Sequence, residues 1–211
     1  MAAAAAADLI APGEILGVGT GSTVNFLIEE LPRARAKVDA VVASSVETER
    51  RLREQGFEVR GLSDTGPPTL YIDGADEVDP HRRMIKGGGG AHAREKVLAN
   101  AARRFACIVD DSKLVGMLGS FPVAVEVIPF ARSHAAARLA AMGGNPSWRQ
   151  GFVTDNGNHV IDVNGLDLTD PARVESEISA IAGVLESGIF ARRGADVVVS
   201  AGAGGVRIDG A

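Results

Sequence analysis

The chain has 211 residues, 45% hydrophobic and 23% charged, an ordinary balance for a protein with a packed core. Its 22 Lys and Arg against 27 Asp and Glu leave a formal charge of −5, and only 4% of residues are aromatic, which argues against a nucleic-acid partner, since phosphate backbones need a basic face and bases need stacking platforms. One cysteine, Cys107, rules out an intrachain disulfide framework and Cys-rich metal sites, and no apolar run reaches the ~18 residues of a membrane span, so a cytoplasmic protein with no membrane partner is expected.

The alanines after Met1 predict a short helix, since Ala is the strongest helix former. Residues 14–18 read as a buried strand, followed by a glycine-rich turn and a helix over 24–31 that stops at Pro32. An apolar strand over 38–43 leads through Ser44-Ser45 into a charged helix over 46–55, closed by Gly56, then a weak strand over 57–60. A stronger strand over 69–72 delivers Asp73, a helix covers 93–103 and another strand 105–109. Strands alternating with helices imply a Rossmann-like α/β domain with a parallel sheet.

The pattern changes after Pro122. A strand over 123–128, a helix over 131–142, two strands near 151–154 and 159–163 about the turn Asp155-Asn156-Gly157-Asn158, and a helix over 171–182 have an α+β order. Asn-Gly between two strands is a strong hairpin signal. Strands over 196–200 and 206–208 are expected to return to the first sheet. The reading is a main domain from 1–122 and 198–211 and a smaller domain from 123–197.

Three motifs carry chemistry. Gly17-Val18-Gly19-Thr20-Gly21-Ser22-Thr23 lies between a strand and a helix, where glycine lets the backbone approach a ligand and the helix start offers N–H groups to an anion. It lacks the Lys of a P-loop and the third glycine of a dinucleotide fingerprint; a tight structural turn is the plainer alternative. Asp73-Gly74-Ala75-Asp76-Glu77 sets three carboxylates at a strand's carboxyl end, where open α/β sheets bind ligands. They suit proton exchange with hydroxyls, a divalent metal or a solvated acidic turn. Lys86-Gly87-Gly88-Gly89-Gly90 precedes a helix that carries Glu95 in its first turn; the loop suits an oxyanion, and Glu95 is either a base or a solvated cap. Lys113 follows another strand end, and His81, His92, His134 and His159 show no metal-ligand spacing.

The three motifs in order, with Val125-Glu126-Val127-Ile128-Pro129 and Val153-Thr154-Asp155-Asn156-Gly157-Asn158, closely resemble the ribose-5-phosphate isomerase type A family from about Gly13 to the last strand. The resemblance implies interconversion of ribose 5-phosphate and ribulose 5-phosphate through a cis-enediolate, with no metal or organic cofactor. It implies a Rossmann-like domain, a ferredoxin-like small domain, and a homodimer or homotetramer. By the same resemblance Glu95 is the general base, Asp73 and Asp76 handle hydroxyl protons and ring opening, and Lys86 with Gly87, Gly88 and Gly89 holds the oxyanion. Thr20, Gly21, Ser22, Thr23, Gly74, Ala75 and Lys113 complete the substrate-binding set. Family members often carry a Lys in an upstream helix; no basic residue precedes Arg33 here, so weaker phosphate affinity is expected. A sugar-phosphate sensor domain and a CoA-transferase-like enzyme of a related fold are the alternatives; the first lacks a DNA-binding segment and the second needs a longer chain.

Overall fold

The computed structural model describes residues 1–210. The chain runs through α1 (Ala2–Ala7), β1 (Glu14–Val18), α2 (Ser22–Glu30), β2 (Val38–Ala43), α3 (Val46–Glu54) and the one-turn α4 (Leu62–Thr65). Next come β3 (Leu70–Asp73), β4 (Glu77–Val78), β5 (Met84–Ile85), α5 (His92–Ala101) and β6 (Arg104–Asp110). β7 (Val123–Val127), α6 (Arg132–Ala141), β8 (Asn145–Trp148), β9 (His159–Asn164), α7 (Pro171–Ser179) and β10 (Val184–Ser187) follow. The last strands are β11 (Ile189–Phe190), β12 (Val197–Gly202) and β13 (Gly205–Asp209). These elements form two units: unit 1 takes Met1–Ala75, Arg94–Leu114 and the segment from Ala195 onward, and unit 2 takes Asp76–Ala93 and Val115–Gly194.

Unit 1 is built on one sheet in the order β13-β12-β6-β3-β1-β2, parallel except for β13. Both faces of its central strands are covered, so they read as continuous apolar runs: β6 is buried from Phe105 to Val109. Leu16, Val18, Ile72, Ile108 and Val199 pack with Val24, Leu27 and Ile28 of α2 and with Ala2, Ala3, Ala6 and Ala7 of α1. The alanine helix is therefore a core element, its spacing placing small side chains on one buried face. From β1 the chain goes first to β2 on one side and then to β3 on the other. The carboxyl ends of β1 and β3 thus flank the point where strand order reverses, the usual binding place of open α/β sheets.

Unit 2 holds the sheet β10-β7-β9-β8, antiparallel throughout, with α6 and α7 in the connections. The order β-α-β-β-α-β is ferredoxin-like, as expected. Its core joins Val123, Val125, Val127, Ile161 and Val163 to Leu139 of α6 and Val174 and Ile178 of α7. A small sheet, β11-β5-β4, draws residues 76–93 into this unit, although the sequence reading put them with the first domain. Pairing of β5 with β11, more than a hundred residues later, leaves no local signal.

Two other expectations change. Residues 57–60 contribute only an isolated bridge, Val41 with Val59. The turn at 155–158 does not join two strands: β9 pairs with β8, and 151–158 form a loop. The reason is Glu126 on β7, fully buried, whose Oε1 accepts hydrogen bonds from Thr154 Oγ1 (2.8 Å), Asn156 Nδ2 (3.1 Å) and Asn158 Nδ2 (2.9 Å). A buried carboxylate without such donors is costly, so the loop wraps it instead of extending.

Candidate active site

In unit 1 the site grows from β3. Tyr71 and Asp73 point to the same side of the strand, two residues apart, and both are fully buried. The Tyr71 hydroxyl donates to Asp73 Oδ2. Asp73 Oδ1 accepts from the N–H groups of Thr20 (3.0 Å) and Gly74 (2.7 Å), so one carboxylate ties the β1 turn to the end of β3. The glycines of the turn make room for this network. A Cβ at Gly19 would stand 1.9 Å from Asp73 Oδ1, and one at Gly17 would stand 2.8 Å from the Tyr71 ring.

The Thr20 hydroxyl turns inward, within 2.7 Å of Ser44 Oγ, 2.8 Å of Ser45 Oγ and 3.0 Å of Thr48 Oγ1. Thr48 in turn donates to the Gly19 carbonyl at 2.8 Å. Thr20 therefore shapes the turn with both its N–H and its hydroxyl. Gly21 and Ser22 are exposed and Thr23 is half-buried, at the start of α2, where no side chain caps the helix. That leaves a positive helix end with donor N–H groups. Glu95 is buried in the first turn of α5. Burial, then the charges of Asp73 and Glu95, push the Tyr71 phenol well above its usual pKa, which places both acids in the electrostatic surroundings of one phenol. Lys113 is half-buried in the turn after β6, the neighbour of β3 in the sheet.

Unit 2 carries the other predicted residues. Lys86 is buried, its N–H donates to the Gly188 carbonyl at 2.8 Å, and its Nζ lies 5.5 Å from the centre of the Phe190 ring. Gly87 (φ +107°) and Gly90 (φ +74°) occupy backbone conformations that favour glycine. The Gly88 N–H donates to Asp76 Oδ2 at 2.9 Å, and a Cβ on Gly88 would approach Asp76 Oδ1 to 2.8 Å. A Cβ on Gly89 would meet nothing within 4 Å. Glu77, the third carboxylate of its motif, is structural: it is buried and accepts from the N–H groups of Gly119 (2.7 Å) and Phe121 (2.6 Å).

The predicted residues thus divide. Thr20, Gly21, Ser22, Thr23, Asp73, Gly74, Ala75, Glu95 and Lys113 belong to unit 1, and Asp76, Lys86, Gly87, Gly88 and Gly89 to unit 2. Sequence reasoning missed Tyr71, Ser44, Ser45 and Thr48, whose hydroxyls hold the predicted groups in place. The Ser44-Ser45 pair at a strand end was the available signal. Among the described residues no three His, Cys, Asp or Glu side chains come together as metal donors. A cavity of about 340 Å³ in unit 1, lined by Glu49, Arg53, Arg60 and Arg94 among others, contains none of the predicted residues.

A sheet with acids and a glycine turn at its switch point has the architecture of α/β proteins that bind ligands at the carboxyl ends of their strands. Comparison with known proteins narrows this. Residues 40–205 match the family profile described as ribose 5-phosphate isomerase A (phosphoriboisomerase A). The chain is 59% identical over 206 residues to ribose-5-phosphate isomerase A of Acidithiobacillus ferrooxidans, covering 98% of this chain and 94% of that one. It is 52% identical to the Legionella pneumophila protein of the same name, covering 97% and 95%. The crystal structure of ribose 5-phosphate isomerase A from Neisseria gonorrhoeae superposes with a TM-score of 0.96 at 44% identity, covering 98% and 93%. A D-ribose-5-phosphate isomerase solved in complex with phospho-erythronic acid superposes with a TM-score of 0.92 at 34% identity, covering 100% and 96%. The chain belongs to the ribose 5-phosphate isomerase A family and is an isomerase. Matches of this extent leave the sensor and transferase readings without support.

Proposed function

We propose that the protein interconverts D-ribose 5-phosphate and D-ribulose 5-phosphate, a step of pentose phosphate metabolism, with Glu95 as the base. In the aldose-to-ketose direction Glu95 takes the proton from C2 of the open-chain sugar and returns it to C1. Between the two transfers the electron pair rests on a cis-enediolate, whose oxygen needs fixed donors. Lys86 and the N–H groups of Gly87 and Gly89 supply them, while the Gly88 N–H holds Asp76. Asp76 exchanges the hydroxyl protons, and Asp73 shares in ring opening while holding the Thr20 turn. The uncapped start of α2, with Lys113, takes the phosphate.

The observation that carries this reading is the Tyr71–Asp73–Thr20 network at the β1/β3 switch point, with Glu95 close enough to perturb the same phenol. Glu95 is buried, which keeps bulk water from the proton it would move. The deciding experiment is Glu95→Gln in a coupled assay with ribose 5-phosphate, beside calorimetric titration with the same sugar. Turnover should fall by about 10²–10⁴-fold while binding persists, the usual cost of a lost acid–base group. Turnover near that of the parent would remove Glu95 from the role. The reaction as drawn uses no metal, so the parent should keep its rate in EDTA; a loss restored by Mg²⁺ would reassign Asp73 and Asp76.

The single cysteine, Cys107, is buried and suits a reducing cytoplasm. A homo-oligomer formed through unit 2 is supported by Phe130, which is 98% exposed, and by the exposed Ile128 and Leu185 of the same unit.

A further inference from the structure

The glycine run after Lys86 has no side chains with which to fix itself, and glycine has the most backbone freedom to lose. One bond closes within it, from the Gly90 N–H to the Gly87 carbonyl at 2.9 Å, and the Gly88 carbonyl is left to be oriented from outside. Arg149, just beyond β8, orients it. Its Nη2 donates to the Gly87 carbonyl at 3.2 Å and its Nη1 to the Gly88 carbonyl at 3.1 Å. A peptide unit is planar and trans, so fixing a carbonyl also fixes the next residue's N–H, which points the opposite way. Holding the carbonyls of Gly87 and Gly88 therefore aims the N–H groups of Gly88 and Gly89: the first donates to Asp76 Oδ2 at 2.9 Å, and the second is a donor assigned above to the enediolate.

The guanidinium is itself held. Its Nε donates to Asp162 Oδ2 at 2.9 Å and its Nη2 donates to Asp162 Oδ1 at 2.5 Å, a bidentate pair with both side chains about four-fifths buried. Asp162 lies on β9, and the Arg149 N–H donates to the Val160 carbonyl at 2.9 Å, so the sheet carries both partners. Phe152 closes the arrangement: its ring centre is 5.2 Å from the guanidinium carbon, and a Cβ at Gly90 would strike the same ring at 2.3 Å. Only a planar fork with five donors can serve two carbonyls and a carboxylate together; the single ammonium of Lys cannot.

We infer that Arg149, braced by Asp162, is a positioning residue for the isomerisation, setting the direction of the Gly88 and Gly89 N–H groups through their peptide carbonyls. The inference rests on the assignment of this loop to the oxyanion. Its test is Arg149→Lys and Arg149→Ala in the whole 211-residue chain, with kcat, KM and melting temperature measured on each, beside Lys86→Met. Arg149→Lys should lose about 10- to 100-fold in kcat, the scale of a misdirected oxyanion donor, with KM within about threefold and melting little changed. Added guanidinium at non-denaturing concentration should restore part of the kcat of Arg149→Ala. A kcat for Arg149→Lys within twofold of the parent, or a rise in KM alone, overturns the inference even if Arg149→Ala does not fold. Lys86→Met separates the two readings. Impaired Lys86→Met with unimpaired Arg149→Lys sinks only the positioning role, whereas fully active Lys86→Met removes the oxyanion assignment of this segment and the inference with it.

Discussion

Tyr71 shows how one side chain joins packing to chemistry. It stacks on Phe105 with ring centres 4.9 Å apart, while its hydroxyl is spent on Asp73. Burial and two acids raise its pKa well above the ordinary 10.0. The unfolded chain therefore releases this proton first as pH rises. Stability linked to the phenol is complete below about pH 10 and is lost progressively above it, towards the higher folded pKa. Tyr71 is the only tyrosine, so phenolate absorbance reports this group alone. It should stay silent in the native protein past pH 10 and appear together with loss of near-ultraviolet dichroism; a phenolate titrating near 10 in folded protein would contradict the assignment. Tyr71→Phe should keep the ring contact and cost about 1.5–3 kcal/mol for the lost bond to a charged acceptor, measurable by urea unfolding.

The turn between β1 and α2 shows the same economy at the level of an element. Gly19 is small because Asp73 needs the space, so Gly19→Ala should cost roughly 1–3 kcal/mol by overpacking and lower kcat by displacing Asp73. Gly204→Ala, in the β12–β13 turn with nothing within 4 Å of the added carbon, is the matched control and should leave calorimetric melting and turnover unchanged. Much of this scale was legible in the sequence. β1 and β6, with their flanking helices, show in apolar runs punctuated by glycine, and the candidate residues cluster at strand ends. What stayed hidden depends on distant partners. An Asn-Gly turn is a local signal, but the demand of Glu126 for donors is tertiary and overrode it. Arg149 gave no signal because its acceptors are backbone carbonyls of glycines, which leave no trace in composition. Tyr71 read as an ordinary strand aromatic until its hydroxyl was seen to end on Asp73.

For the whole molecule, the exposed Phe130 makes a definite prediction. If unit 2 mediates assembly, Phe130→Glu should shift the mass measured by light scattering towards the monomer without lowering the melting of the isolated fold. An unchanged mass would move the interface elsewhere. The chain also passes from one unit to the other after Ala75, Ala93, Leu114 and Gly194. Asp73, Asp76, Glu95 and Lys113 all stand within a few residues of such a passage along the chain.

The same interleaving bears on biosynthesis. β6 finds its neighbour β12 only after the whole stretch 115–194 has been made. At ribosomal speeds of 5–20 residues per second that is a wait of roughly 4 to 16 seconds, during which an apolar strand presents an unpaired edge to the crowded cell. A nascent chain of this design depends on being shielded while it is translated, and a message cut short before codon 195 yields a product with a permanently sticky margin.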